Sequence, residues 1–286
     1  MKHFAHVLEN FSAVADVLTG FAWRALVICA LGLSASLALA QSPPGSGGPV
    51  DAAIIEDLVA ANRILADQGV VDGFGHVSVR HPNNPNRYLM SRSLAPALVT
   101  AADIMEYDLE ANAVDPKGRV SFLERFIHGE IYKLRPDVKS VIHAHSLSVI
   151  PFGAAQVPMR AMFHSAAFLV PGVPVFEIRR AGGMTNMLVG NAQLGKALAE
   201  TLGDKSVALM RGHGMVAVAS TVQMVVFRAV YTEVNARLQA QAIALGSPIT
   251  YLEPEEGQKM SIALEQVHLR SWDLWKRAVA EKMSTK

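Results

Sequence analysis

Residues 123–145, LERFIHGEIYKLRPDVKSVIHAH, constrain the fold most, because they change from a helical to a strand period within a few positions. Phe126, Ile127, Ile131 and Leu134 recur at helical spacing, Arg135-Pro136-Asp137 ends the helix, and Val141-Ile142-His143-Ala144-His145 reads as a buried strand. Residues i and i+2 of a strand share a face, so His143 and His145 can turn both imidazoles towards one metal ion. Such a pair is also common on surfaces and in satisfied cores, so a third donor has to be found elsewhere.

Residues 207–218, VALMRGHGMVAV, supply one. An apolar run breaks at Gly212-His213-Gly214 and resumes, which predicts two strands meeting at a tight turn whose glycines let the backbone pass close to a neighbour. Two imidazoles on one strand and one at a distant strand junction make a three-nitrogen site with open positions, as a catalytic metal needs.

Glu124 and His128, then Arg135-Pro136-Asp137, His143-Ala144-His145 and His213-Gly214, together resemble the class II aldolase and adducin family over about residues 51–256. Its best-known members are fuculose-phosphate and ribulose-phosphate aldolases and epimerases. The resemblance implies an α/β fold, a three-layer α/β/α domain with a central, mostly antiparallel sheet. It also implies a fourfold homotetramer with sites at subunit interfaces. His143, His145 and His213 match the family's metal ligands, and Glu124 matches the acid that shuttles a proton.

The chain has 286 residues, about half of them apolar, enough for one sizeable domain. Residues 25–40, ALVICALGLSASLALA, follow Arg24 and end in Ala38-Leu39-Ala40, the pattern of a signal peptide spanning residues 1–40, with an uncleaved anchor as the rival reading. Cleavage implies a periplasmic or secreted protein with no membrane attachment. It also removes Cys29, the only cysteine, and with it thiolate catalysis, disulfides and sulfur ligands. Residues 41–50 read as a flexible Pro/Gly/Ser linker, and residues 51–286 as the folded domain. A formal charge of +1 offers no basic field for nucleic acid.

Within the domain, Asp51 caps a helix closed by Gly69, and Gly-containing residues 70–75 feed an alternating strand. Strands are predicted near residues 87–90 and 173–178, a hairpin between short strands at 114–120, and helices at 148–155, 191–202, 221–245 and 261–286, the last anchored by Trp272 and Trp275. Polar residues of the long 221–245 helix, among them Glu233, Asn235 and Gln239, read as a solvated or subunit-facing surface, and Tyr231 as an outside candidate for the site.

Three places depart from the resembled aldolases. Their Gly-Asn-x-Ser turn, which helps hold a substrate phosphate, is here Gly75-His76-Val77-Ser78; a Thr-Gly pair is replaced by Ser91-Arg92-Ser93; and paired serines before the acid are Phe122-Leu123. The phosphate cradle is therefore expected to be lost. Arg92 offers a planar fork for a carboxylate, with Ser93 and Gly75 in the substrate loop and Phe74 and Phe122 as an apolar wall. His164 lies among apolar neighbours and reads either as a satisfied core residue or as a proton donor.

The stretches Gly73-Phe74-Gly75-His76-Val77-Ser78-Val79-Arg80, Met90-Ser91-Arg92-Ser93 and Phe163-His164-Ser165-Ala166-Ala167-Phe168 are similar to the family branch of dihydroxyphthalate and hydroxy-methylpyridine-dicarboxylate decarboxylases. The likeness implies a metal-dependent carbon–carbon lyase with one divalent ion, zinc or manganese, acting on a small-molecule carboxylate, with His76, Glu124 or His164 protonating the product carbon. The alternatives are an aldolase for a non-phosphorylated hydroxy-keto acid or sugar, and an adducin-like binding module. A module freed from catalysis has no need to keep three histidines and a glutamate in register.

Overall fold

The computed structural model describes residues 45–284; the predicted signal segment and Cys29 lie outside the described residues. Seven strands form one sheet in the order β3-β2-β1-β4-β7-β6-β5: β1 (His76–Arg80), β2 (Arg87–Ser91), β3 (Ile104–Asp108), β4 (Ser140–Ala144), β5 (Val175–Phe176), β6 (Val207–Met210) and β7 (Gly214–Ala219). All neighbours are antiparallel except β5 and β6. The central strands β4 and β7 are buried along their whole length, which is why neither shows the apolar–polar alternation of a half-buried strand.

Helices cover both faces. On one lie α1 (Ala52–Asp67), the long α6 (Val222–Ala244), α7 (Pro254–Val267) and α8 (Leu269–Ser284), packed on Val77, Ile142, Ala144, Met215 and Ala217. On the other lie α2 (Phe126–Leu134) and α5 (Ala192–Leu202), packed on Tyr88, Val141, Val216 and Val218. Short α3 (Ile150–Ala154) and α4 (Ile178–Gly182) fill connections. Asp51, Asn191 and Thr221 cap α1, α5 and α6 by accepting from backbone N–H groups of the first turn. Trp272 and Trp275 are buried anchors, as expected.

The structure departs from the sequence reading in several places, among them the tail, where the single helix expected at 261–286 is two, Pro254–Val267 and Leu269–Ser284. The hairpin strands expected at 114–120 are absent; the partner of β2 is β3, and residue 113 makes only an isolated bridge to Tyr107. Residues 45–50 are not a loose linker: Ser46 Oγ and Gly47 N donate to the Glu106 carboxylate at 2.6 Å each, and Arg87 Nε donates to the Gly45 carbonyl at 2.7 Å. Polar contacts dock a segment that has too little apolar surface to pack. Asn235 and Gln239 are fully buried on α6. Their amides bond the backbone of residues 158–162: Met162 N donates to Asn235 Oδ1, Asn235 Nδ2 to Arg160 O, Arg160 N to Gln239 Oε1 and Gln239 Nε2 to Pro158 O, all at 2.8–2.9 Å. Glu233 instead holds the loop after β4, as described below.

Candidate metal centre

The Nε2 atoms of three histidines converge at one end of the sheet. His145 Nε2 lies 3.1 Å from His143 Nε2 and 2.9 Å from His213 Nε2, and Glu124 Oε2 lies 3.4 Å from His143 Nε2 and 3.5 Å from His213 Nε2. Their ligand atoms all fall within 4.8 Å of one another. Three nitrogens each about 2.0–2.1 Å from one ion at tetrahedral angles stand about 3.3 Å apart, close to what is found. Imidazole lone pairs face one another at such distances only if a cation or proton lies between them. The donor set thus fits a divalent ion, with the Glu124 carboxylate as a fourth donor or a base beside it.

Local structure explains each position. His143 is the penultimate residue of β4, and its Nδ1 donates to the Met215 carbonyl of β7 at 3.1 Å, which leaves Nε2 as the free lone pair. His213 sits in the β6–β7 turn, where Gly212 has φ +61° and a Cβ on Gly214 would stand 2.0 Å from the Ala144 carbonyl. Only glycine lets β7 approach β4 that closely, and that approach brings His213 to the pair. Downstream of His145, Ser146 Oγ and Ser148 N donate to Glu233 Oε2 at 2.6 and 3.1 Å, so α6 fixes the loop that carries the ligand. Glu124 lies in a 3-10 turn (Leu123–Arg125) with non-helical φ −88° and ψ 18°, where the Val189 N–H donates to its Oε1 at 2.8 Å.

Burial by itself would raise the Glu124 carboxyl, but the imidazoles of His143 and His213 outweigh it and hold the group well below the usual carboxylate range. Burial, reinforced by the neighbouring imidazoles of His143 and His213, lowers His145 to about 4. At neutral pH both groups are therefore in the states that bind metal: ionised carboxylate and neutral imidazole.

The sequence-predicted walls are in place. The Phe122 ring lies 4.6 Å from His76, and Phe74 stacks on His145 at 5.9 Å. His76, on β1 opposite His143, has its ring 5.2 Å from that ligand. Gly75, with φ +96°, is a packing position: a Cβ there would meet Val71 at 2.6 Å and the His143 carbonyl at 3.1 Å. Behind His76 runs a buried polar chain not anticipated from sequence. His76 Nδ1 is 2.6 Å from His128 Nε2, His128 Nδ1 is 2.6 Å from Ser78 Oγ, and Ser78 Oγ is 2.7 Å from Tyr132 OH.

Other predicted residues are placed differently. Arg92 Nε donates to Asp103 Oδ1 at 2.6 Å, and the Ser93 N–H donates to the Val120 carbonyl, so their loop runs beside the segment leading to Phe122 and Glu124. His164 is exposed, in contact with Phe163 and Ser165, on a 3-10 segment (His164–Leu169) that packs into the opposite layer. The core reading of His164 is thereby corrected. Tyr231 packs with Phe227, Phe163 and Trp275, an aromatic cluster in the layer across the sheet from the histidines. The sequence reading assigned no site role to Glu233, His128, Ser78 or Tyr132. For the last three the signal existed in part, since His128 and Tyr132 fall one turn apart on α2 and His76 and Ser78 share a strand face.

Residues 56–240 match the model of the class II aldolase and adducin N-terminal domain. The decarboxylase tropJ of Talaromyces stipitatus is 34% identical over 79% of this chain and 93% of its own. The 3,4-dihydroxyphthalate decarboxylase of Arthrobacter keyseri is 31% identical over 68% of this chain and 80% of its own. Among solved structures, the L-fuculose 1-phosphate aldolase of Glaciozyma antarctica superposes with a TM-score of 0.67 over 83% of this chain and 95% of its own at 22% identity, a likeness of fold.

Proposed function

The chain belongs to the class II aldolase and adducin family, and on that premise we propose that it is a metal-dependent carbon–carbon lyase that decarboxylates a hydroxylated aromatic or similar carboxylate. The observation that carries the reading is the convergence of three imidazole nitrogens and one ionised carboxylate beside an aromatic wall. His143, His145 and His213, with Glu124 beside them, would hold a divalent ion, zinc or manganese, which would supply positive charge to draw electrons from the substrate.

The residues of the chain supply the rest. Glu124 takes the substrate hydroxyl proton and returns it to the ring carbon when the carbon–carbon bond breaks, a role supported by its ionised state and its anchoring by the Val189 N–H. The bond pair stays on that carbon, carbon dioxide departs, and one solvent proton restores the hydroxyl. Phe122 and Phe74 provide flat apolar surface for a ring and keep water from it. Arg92, whose Nε is tied to Asp103, can offer the outer edge of its guanidinium to a second carboxylate.

Exposed Phe74, Leu123 and Leu147 flank the site in sequence and in part in space, which supports burial of this rim in a homotetramer, with exposed His164 acting across a subunit contact. Among the described residues no helix is long and apolar enough to cross a membrane; export by cleavage of residues 1–40 remains part of this proposal.

The test loads the purified protein with zinc or manganese and offers 3,4-dihydroxyphthalate and related hydroxy-carboxylates carrying 13C at the carboxyl. Release of labelled carbon dioxide is the expected outcome. Appearance of pyruvate or an aldehyde from hydroxy-keto acids, with no carbon dioxide, would replace this reading with an aldolase.

A further inference from the structure

The buried chain behind His76 has a direction. His76, His128, Ser78 and Tyr132 are each no more than 3% exposed, and three contacts of 2.6–2.7 Å link them in series from the metal centre to the far end of α2. Each hydrogen bond holds one proton, so its polarity is defined. We propose that Tyr132, Ser78 and His128 are positioning residues whose aligned hydrogen bonds hold His76 as the tautomer with its proton on Nε2, a donor aimed at substrate in the metal centre.

The direction follows from the end groups. The Tyr132 hydroxyl has two oxygens in reach, Ser78 Oγ at 2.7 Å and the Lys139 carbonyl at 3.5 Å, and the longer contact lies at the limit of a hydrogen bond. A phenol is a stronger acid than an alkyl hydroxyl and donates to it. Ser78 Oγ, having accepted, donates to His128 Nδ1, an imidazole nitrogen being the better acceptor. With Nδ1 accepting, the proton of neutral His128 is on Nε2 and is donated to His76 Nδ1, so that the proton of neutral His76 is on Nε2. Burial supports neutrality of the His128 ring, which it brings down to about 3. The Ser78 oxygen cannot turn elsewhere without leaving a buried partner unpaired.

Geometry places that proton at the site. The His76 Nδ1 edge is taken by His128, while the ring lies between Phe122 at 4.6 Å and His143 at 5.2 Å, and Nε2 makes no hydrogen bond to any described residue. A fixed donor beside the ligands meets the oxygen on which charge develops when a carbon–carbon bond breaks, and it costs no reorganisation at that moment. This catalytic consequence rests on the lyase reading; the tautomer itself does not.

The test therefore begins with a readout independent of turnover. In zinc-loaded full-length protein labelled with 15N-histidine, long-range proton–nitrogen correlation at neutral pH reports which nitrogen of His76 carries the proton, with His76→Asn assigning the signal. Protonated Nε2 and bare Nδ1 are expected in the parent. His128→Gln, whose terminal amide can still donate to His76 Nδ1, keeps that pattern; His128→Leu and Tyr132→Phe mix the tautomers. On a substrate that the protein turns over, His128→Leu and Tyr132→Phe lower kcat by about tenfold or more with KM changed less than about threefold, and His128→Gln restores most of it. A parent with protonated Nδ1, or variants that leave the His76 pattern unchanged, overturns the proposal, whether or not any substrate is turned over. A protein with the expected tautomer that releases no carbon dioxide overturns the decarboxylase reading alone.

Discussion

His143 shows how one backbone carbonyl can settle the state of a ligand. Its Nδ1 is occupied by Met215 O, so the ring has a single nitrogen left to offer, and the same strand register that sets this bond sets His145 and His213 beside it. On the proposed reading, Glu124 is the residue that separates binding from chemistry. Glu124→Gln keeps three imidazoles and lowers kcat by about two to four orders of magnitude with metal content retained, measured by turnover and metal analysis of the same sample. Arg92→Ala raises KM for a dicarboxylate about tenfold or more. Unchanged KM and kcat would remove Arg92 from the site. His128 carries a pH prediction. Its value falls from 6.5 in the unfolded chain to about 3 in the native protein, so between those pH values the unfolded chain holds a proton that the native one refuses, and stability drops as pH falls. Urea unfolding at pH 7 and pH 5 is expected to show the parent losing up to about 2 kcal/mol more than His128→Gln, and equal losses would contradict the burial account. The candidate ligands were legible in the sequence because a strand period of two and a glycine-flanked break are local patterns. Ser78 and Tyr132 were not, because their contact depends on where α2 crosses β1.

At the scale of elements, most helices and strands followed from period and caps, while β3, the pairings and the docked loops did not. The long α6 read as a surface helix because Glu233, Asn235 and Gln239 are polar, yet their side chains substitute for strand partners of irregular backbone. A polar residue on a helix carries no mark of whether water or a neighbouring carbonyl satisfies it. Asn235→Ala removes an acceptor and a donor from the backbone at Met162 and Arg160 and is expected to cost about 2–4 kcal/mol, read as a fall in Tm with metal content unchanged. The β4–β7 contact predicts the opposite pairing of effects. Gly214→Ala forces the strands apart at the Ala144 carbonyl and disturbs His145 and His213 together, so weaker metal binding accompanies the lost stability. A Gly214→Ala protein with parental metal affinity would show that the strand approach does not set the site.

The described residues form a sheet with two cores, and the candidate centre stands where the ends of β4, the β6–β7 turn and the start of α2 meet. The mostly antiparallel order and the two helix layers agree with the family resemblance, which conveyed them; the strand count did not come from periodicity, since β3 was missed. Light scattering of the purified protein is expected to give the mass of four chains, with Phe74→Ser and Leu147→Ser together shifting it towards smaller species. The most direct measurement is the metal content of the protein after dialysis and reloading, for the parent beside His143→Ala and Glu124→Gln. The structure predicts about one divalent ion per chain in the parent and in Glu124→Gln and little in His143→Ala. An equal load in parent and His143→Ala, or none in any of the three after reloading, would contradict a metal held by these histidines.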